Sequence, residues 1–127
     1  MTRFLLWALM FLALAVQAED GLEGGYWQHE KDSVWIEMLP GEGEGIVVRH
    51  DERPDSVGFR LVTDLAPTDN PDTWSARVYA ARLQEYREAD ITLKSSDLMV
   101  FTVKVGFIRR TVEWRRVQEV PIAVNGE

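Results

Sequence analysis

Residues 98–117 read L-M-V-F-T-V-K-V-G-F-I-R-R-T-V-E-W-R-R-V, and this stretch decides the fold. β-Branched and aromatic residues alternate in two runs, Leu98–Val105 and Thr111–Val117. A short connection containing Gly106 and two arginines joins the runs. Alternation with a period of two on both sides of a glycine-containing connection is typical of a β-hairpin. We therefore predict that the two runs pair as antiparallel strands.

The pattern of apolar residues predicts six further strands before this hairpin. Glycine, proline and acidic residues fill the breaks between them, as in turns and loops. Eight strands with mostly short connections favour closure into a ring without exposed edges. We predict an all-β fold, a small eight-stranded antiparallel up-and-down barrel. The six earlier strands are predicted at Gly25–His29, Ser33–Leu39, Ile46–His50, Val57–Leu65, Trp74–Ala80 and Tyr86–Leu93.

One section of the chain, residues 80–88, is ambiguous between strand and helix. It is rich in helix formers, and Tyr79, Leu83 and Tyr86 recur at the spacing of a helical face. The segments on either side of it have the pattern of extended chain. The sequence therefore leaves room for one short helix near 80–88 between two strands.

The first residues of the chain have the pattern of a secretory leader. Arg3 precedes the apolar run Phe4–Val16, and the run closes in small residues up to Ala18. A basic start, an apolar stretch of this length and a small-residue site indicate a signal peptide that is too short to remain in a bilayer. We expect cleavage after Ala18, a periplasmic location and no stable membrane insertion afterwards. The predicted divisions are a signal peptide at 1–18, a flexible lead-in at 19–24, the barrel domain at 25–118 and a C-terminal tail at 119–127.

Composition limits the partners and the chemistry of the chain. The formal net charge is −7, and the loss of Arg3 with the leader would make it one unit more negative. A general affinity for nucleic acid or for an anionic membrane surface needs a basic face, so the charge disfavours both. The chain has no cysteine, which excludes disulfides, thiol chemistry and thiolate metal sites. Stability must therefore come from a packed core, and the sequence implies no cofactor.

The two ends of the predicted barrel carry residues that can close it. Trp114 and Arg116 lie two apart and face the same side of their strand. Closure brings the first and last strands together, so Arg116 can lie over the ring of Trp27. Such a cation–π contact contributes about 0.5–2 kcal/mol, depending on desolvation. We interpret these residues as structural rather than catalytic.

These same motifs resemble those of a known family. Gly25-Tyr26-Trp27 matches the G-x-W opening of lipocalin-like barrels, and Trp114-x-Arg116-Val117 after a Gly-Phe step resembles the close of the DUF2147 family of small exported bacterial proteins. The resemblance is clearest at the two ends and through Ile46–Val48. The middle, especially Ala80–Glu85, departs from the glycine-containing turn of that family. The resemblance implies a lipocalin-like barrel with no settled activity, in which Gly25, Trp27, Trp114 and Arg116 form the closure.

An eight-stranded barrel either holds one small ligand or is filled by its own side chains. The first alternative makes the protein a binding module for a small apolar or amphipathic ligand. The second makes it an interaction or envelope-maintenance protein without a ligand, whose partner would be an envelope protein. An enzyme is the least expected class, because no serine-hydrolase or phosphate-loop motif is present. The residues predicted to face the interior, and thus to line a ligand site, are Val34, Ile36, Met38, Phe59, Leu61, Met99, Phe101 and Val103.

Two weaker hypotheses concern charged and metal-binding side chains. His29 and His50 are the only histidines, and each shares the parity of its strand's predicted inward residues, which on the third strand are Ile46 and Val48. With a nearby carboxylate they could hold a metal ion, although strand-end histidines near solvent are the plainer interpretation.

Arg109 and Arg110 give the hairpin a basic end on an acidic protein. This end could receive an anionic headgroup or a partner's acidic patch, or it could be a solvated hairpin tip.

Overall fold

The structure is a computed structural model, and it describes Leu22 and residues 24–122. In this part of the chain eight strands form a single closed barrel. Two 3₁₀ turns, Pro40–Glu42 and Pro54–Ser56, lie in the connections around the third strand. The strands are β1 (Gly25–His29), β2 (Val34–Leu39), β3 (Glu44–His50), β4 (Arg60–Pro67), β5 (Thr73–Ala80), β6 (Glu85–Ser95), β7 (Leu98–Val105) and β8 (Ile108–Val117).

Each strand pairs antiparallel with the next along the chain, and β8 returns to pair with β1. In this last pairing Trp27 lies opposite Arg116, and His29 lies opposite Trp114. The prediction of an all-β, eight-stranded, antiparallel up-and-down barrel is therefore confirmed. The predicted leader at 1–18 lies outside the described residues.

The connection between β7 and β8 is tighter than predicted. Val105 pairs with Ile108, so only Gly106 and Phe107 form the turn. Gly106 has a φ of +63°, which suits the first central position of a type II′ hairpin turn. Arg109 and Arg110 consequently belong to β8 and not to the connection, and β8 begins three residues earlier than the predicted start at Thr111.

Residues 81–84 form a turn and not a helix. The backbone N–H groups of Leu83 and Gln84 both donate to the carbonyl of Ala80, and Gln84 then adopts a positive φ of 56°. Ala80 pairs with Glu85 across this turn, so the strands resume at once and a helix has no room to extend. Across residues 24–122, no helix is long and apolar enough to cross a membrane.

The inward face of β3 differs from the predicted one. Val47 is buried, whereas its neighbours Ile46 and Val48 are partly exposed. The register between β2 and β3 shifts at Trp35 and Ile36, and a bulge of this kind moves the alternation by one residue. The prediction that Ile46 and Val48 face the interior is therefore wrong.

The strand β4 also departs from the predicted alternation. Phe59 precedes the strand and is 39% exposed, Leu61 is only partly buried against the core, and Val62 is fully buried. The register of β4 shifts once against β3 and once against β5. Asp64 adopts a positive φ of 55° near the second shift. The prediction that Phe59 lines the interior is wrong, and Leu61 lies at the edge of the core rather than within it.

Large side chains fill the interior of the barrel. Every strand contributes to a single cluster of buried apolar residues. Leu22, in the segment predicted to be a flexible lead-in, is 6% exposed and belongs to the same cluster, so the lead-in adds a side chain to the core. The largest fully buried side chains are those of Trp27, Phe101, Ile36, Met38, Ile91, Met99 and Val62.

Gly45 shows how closely this interior is packed. A Cβ at Gly45 would lie 2.7 Å from Sδ of Met38 and 3.2 Å from Cβ and Cγ2 of Val62. The methionine can move its flexible end, whereas the branched valine is held by its strand. We expect Gly45→Ala to lower the free energy of unfolding by about 1–3 kcal/mol in urea denaturation.

Gly41→Ala is the matched control for this change. A Cβ at Gly41 would meet nothing within 4 Å, so its effect should be within about 0.5 kcal/mol. Equal losses for the two substitutions would show that crowding is not the reason for a glycine at position 45.

Candidate functional site

Arg116 joins the first and last strands at the closing seam of the barrel. Its Cζ atom lies 4.3 Å from the centroid of the Trp27 ring. Its Nε donates to the carbonyl of Ser96 at 2.7 Å, in the connection between β6 and β7, and its Nη1 lies 3.5 Å from the carbonyl of Gly24. The cation is thus held by an aromatic face and by backbone oxygens from two other parts of the chain. This arrangement ties down three chain segments at one end of the barrel.

The other predicted closure residues surround this contact. A Cβ on Gly25 would lie 3.1 Å from Nη1 of Arg116, so the guanidinium passes close over the backbone there. Trp114 is 2% exposed. Its ring contacts Phe101 with centroids 5.4 Å apart and meets the edge of His29 at 5.0 Å. All of these contacts serve packing, and none presents a reactive group to a cleft.

Both histidines hold turns through their ring nitrogens. Nδ1 of His29 accepts hydrogen bonds from the backbone N–H groups of Lys31 and Asp32, each at 3.0 Å. Nδ1 of His50 accepts from the backbone N–H of Arg53 at 3.2 Å. Nowhere in residues 24–122 do three histidine or carboxylate side chains come together as a metal site would require. The metal hypothesis for His29 and His50 therefore has no geometric support.

The environment of His29 makes the fold sensitive to acid. Burial lowers the pKa of His29 below 6.5, and nearby Lys31 and His50 lower it further, while the Asp32 carboxylate acts in the opposite direction. The folded state thus binds fewer protons at this site than the unfolded chain. The contribution of His29 to stability is present above about pH 6.5 and is lost as the pH falls through the folded pKa.

His29→Asn tests this dependence, because the Asn oxygen can accept the same backbone N–H groups but does not titrate. We expect the free energy of unfolding of the unmodified protein to fall more steeply between about pH 7.5 and pH 5.5 than that of the variant. The measurement is urea denaturation at a series of pH values. Parallel curves for the two proteins would contradict the assignment to His29.

Glu30 and Glu113 form a carboxylate pair that sequence reasoning did not single out. The Glu30 carboxylate raises the pKa of Glu113, because it accepts a hydrogen bond from protonated Glu113 and because its negative charge disfavours a second one. The backbone N–H of Glu30 donates to the carbonyl of Glu113 at 3.0 Å. Paired carboxylates perform acid and base chemistry in clefts that bind a substrate. Neither carboxylate lines either of the two depressions described below.

Six of the eight residues predicted to line a ligand site are buried in the core. Phe59 and Leu61 are the exceptions described above. The indole N–H groups of Trp27 and Trp114 are also buried, with no hydrogen-bond acceptor among the described residues. The interior positions are therefore occupied mainly by side chains that contact one another. The six are Val34, Ile36, Met38, Met99, Phe101 and Val103.

One open depression, of about 560 Å³, lies between β3, the β3–β4 connection and the segment after β8. Arg49 organises its polar side. Its guanidinium donates hydrogen bonds to both carboxylate oxygens of Asp51 and to the carbonyl of Pro121. Its Cζ atom lies 4.6 Å from the centroid of the Trp35 ring. Of these contacts, the hydrogen bond to Pro121 holds the C-terminal segment against the barrel.

A second depression, of about 350 Å³, lies across β4 to β7. Its charged lining residues include Arg77 and Lys104 together with Asp64, Glu88 and Asp90. Cross-strand partners such as Arg77 and Glu88 place opposite charges side by side. With three carboxylates and two cations, this surface has no strong preference for an anion or a cation.

An aromatic cluster on the outer surface was missed by the sequence reasoning. Phe59 meets the edge of Tyr79 at 4.9 Å and stacks on Tyr86 at 6.5 Å, and the Tyr86 hydroxyl donates to the carbonyl of Arg60 at 2.6 Å. Tyr79 and Tyr86 lie on neighbouring strands and Phe59 precedes β4, so sequence spacing carries no signal for the cluster. It fastens the irregular start of β4 to the β5–β6 hairpin.

The tip of the β7–β8 hairpin is the most exposed apolar feature among the described residues. Phe107 has a relative exposure of 107%, and the following Ile108 is 58% exposed. Lys104 and Arg109 lie directly opposite each other behind the tip. The Gly-Phe pair between two alternating runs was the sequence signal that could have located this turn.

Comparison with known proteins gives no match, whether against family models, curated proteins or solved structures. The structure thus defines a class of protein, a closed and filled antiparallel β-barrel.

Proposed function

We propose that this chain is an exported interaction protein that acts through its outer surface and carries no ligand inside the barrel. The observation that supports this most is the filling of the interior by Trp27, Phe101 and Met99, each no more than 1% exposed. A barrel that carries a ligand needs an apolar cavity of several hundred Å³. Here that space is taken up by aromatic and methionine side chains.

The location of the open depressions supports the same proposal. The larger one is formed partly by Val120 and Pro121, which follow the last strand, and the smaller one mainly by polar residues across four strands. Both are open to solvent rather than enclosed by the barrel. Surface of this kind suits contact with another macromolecule or an extended surface better than retention of a small molecule.

Export to the periplasm is part of the proposal and rests on the leader pattern at 1–18. The likeness of the Gly25–Trp27 and Trp114–Val117 motifs to the DUF2147 family agrees with an exported barrel. N-terminal sequencing of the exported protein should give a chain beginning at Glu19. Retention of residues 1–18 would contradict export with cleavage.

Native mass spectrometry of protein recovered after export tests the interaction role against the carrier role. We expect the mass of the unliganded polypeptide, because the interior has no space for a retained molecule. An additional mass of a few hundred daltons, lost on denaturation, would overturn the proposal in favour of a ligand-binding module.

A further inference from the structure

The β7–β8 hairpin ends in an apolar pair that the barrel does not cover. Phe107 occupies the turn itself, and its ring is as exposed as in an extended peptide, while Ile108 is more than half exposed. Single exposed apolar residues are ordinary on a protein surface. Two adjacent exposed apolar residues at the turn of a hairpin are less common. Their position at the turn also lets both side chains contact a flat partner.

The charged residues of the hairpin itself behind the apolar pair are all positive, although Lys104 also lines the mixed-charge depression with Glu88 and Asp90. Residues 104–110 include Lys104, Arg109 and Arg110 and no acidic residue, although the whole chain has a formal charge of −7. No ion pair joins any of these three cations to a carboxylate within residues 24–122. Lys104 and Arg109 lie directly opposite each other, and like charges in that position destabilise a sheet. An anionic partner would offset this repulsion.

The hairpin also extends past the strand β1 and past the last residue pair that it forms with β6. Pairing of β7 with β6 ends at Val103, and pairing of β8 with β1 begins only at Trp114. The pairing of Lys104 with Arg109 and of Val105 with Ile108 continues beyond these points. On the β6 side the Nε of Arg87 donates to the carbonyl of Lys104 at 3.4 Å. The tip is therefore free on the β1 side, where its apolar point and its cations can meet a surface together.

We propose that this tip binds the surface of an anionic phospholipid bilayer. Phe107 and Ile108 enter the boundary between headgroups and acyl chains, and Lys104, Arg109 and Arg110 contact the phosphates. An apolar point with cations on its polar side is the pattern of interfacial membrane binding. This inference rests on the proposed function in one respect, namely that the protein binds its partner through the outer surface of the barrel.

Charge separates this partner from two others. A second copy of the chain would bring the same three cations against its own tip, so repulsion opposes a tip-to-tip dimer. A nucleic acid would neutralise the cations, but it would leave the apolar pair without an apolar environment and would approach an otherwise acidic protein. Of these three partners, only a bilayer offers anionic groups and an apolar layer within a few ångströms of each other.

Co-sedimentation with vesicles tests the proposal. The protein is recovered after export and shown by N-terminal sequencing to lack residues 1–18, whose apolar run would itself enter lipid. We expect binding to vesicles of equal parts phosphatidylglycerol and phosphatidylcholine, and little binding to phosphatidylcholine alone. Raising the salt concentration should weaken binding, because exposed charges are screened.

Two pairs of variants identify the residues responsible. Phe107→Ser should weaken binding by about ten-fold or more, whereas Ile122→Ser should not, although Ile122 is 87% exposed. Arg109→Gln should weaken it by on the order of five-fold, whereas Arg115→Gln, at the other end of β8, should leave it nearly unchanged. Because Phe107 and Arg109 are exposed, none of these changes should affect thermal unfolding.

Three results would overturn the proposal. They are no binding to the anionic vesicles, equal binding by the Phe107→Ser and Ile122→Ser variants, and a dimer in analytical ultracentrifugation that Phe107→Ser dissociates without any vesicle binding. The last result would assign the tip to a second copy. A ligand inside the barrel in native mass spectrometry would instead refute the proposed function, and the vesicle experiment would still decide the role of the tip.

Discussion

Arg116→Ala should lower the free energy of unfolding by about 1–4 kcal/mol. The substitution removes the cation from the Trp27 ring, 4.3 Å away, and the hydrogen bond to the carbonyl of Ser96. Because that bond joins a charged donor to a chain segment 20 positions away, its loss also frees the β6–β7 connection. Urea denaturation of the variant and the unmodified protein measures the difference.

Arg115 is the matched control, since it is the adjacent arginine on the same strand and is exposed. Arg115→Ala should change the free energy of unfolding by no more than about 0.5 kcal/mol. In a double-mutant cycle, Trp27→Leu combined with Arg116→Ala should cost clearly less than the two single changes together, because they remove the same contact. A larger loss for Arg115→Ala, or simple additivity in the cycle, would contradict the closure.

Phe101→Ala should be the most damaging of the substitutions considered, with a loss of about 3–5 kcal/mol. Phe101 is 1% exposed, and its ring contacts that of Trp114. Since the surrounding strands form a closed ring, they cannot collapse far into the space that the ring leaves. Thermal and urea unfolding both report this loss.

Phe107→Ala provides a control of identical chemistry on the same hairpin. Its ring makes no packing contribution, because it is fully exposed, so stability should change by no more than about 0.5 kcal/mol. Comparable losses at positions 101 and 107 would show that Phe101 is not part of a packed interior.

The closing strands could be predicted from sequence because their signal is local and dense. Alternation around Phe101 and Val103 identifies the inward face of β7, and the pair Trp114 and Arg116 does the same for β8. The contact between Trp27 and Arg116 then follows from closure of the barrel, because the second edge of β1 and the second edge of β8 have only each other to pair with. Because exposed edge strands are unfavourable, closure predicts this contact between distant parts of the chain without any other evidence of their proximity.

The errors arose where the register shifts. The inward positions Val47 and Val62 each lie next to a bulge, and each bulge depends on how closely two strands approach rather than on either strand's own residues. Gly45 marks one such approach, because the side chains of Met38 and Val62 occupy the space of its missing Cβ. A lone glycine in a strand indicates such a site but does not identify its neighbours.

Whether the interior is filled or open could not be read from the sequence either. Val34, Ile36 and Met99 would line a ligand cavity or form a solid core with the same alternation. The outcome depends on whether side chains from opposite sides of the ring reach one another, which is a property of barrel diameter and side-chain volume. The exposed tip at Phe107, in contrast, could have been predicted from the sequence, because Gly106-Phe107 fits a two-residue hairpin turn that places Phe107 at the tip.

The filled interior is the central claim, and the indole N–H signals of Trp27 and Trp114 report on it directly, since both groups are buried inside the barrel. The measurement is a titration of the ¹⁵N-labelled protein with benzene, followed by nuclear magnetic resonance, with the Phe101→Ala variant as the positive control. We predict that both indole signals of the unmodified protein stay in place, and that those of the variant shift as benzene enters the new space. Saturable shifts of both signals in the unmodified protein would show an open interior and contradict the account.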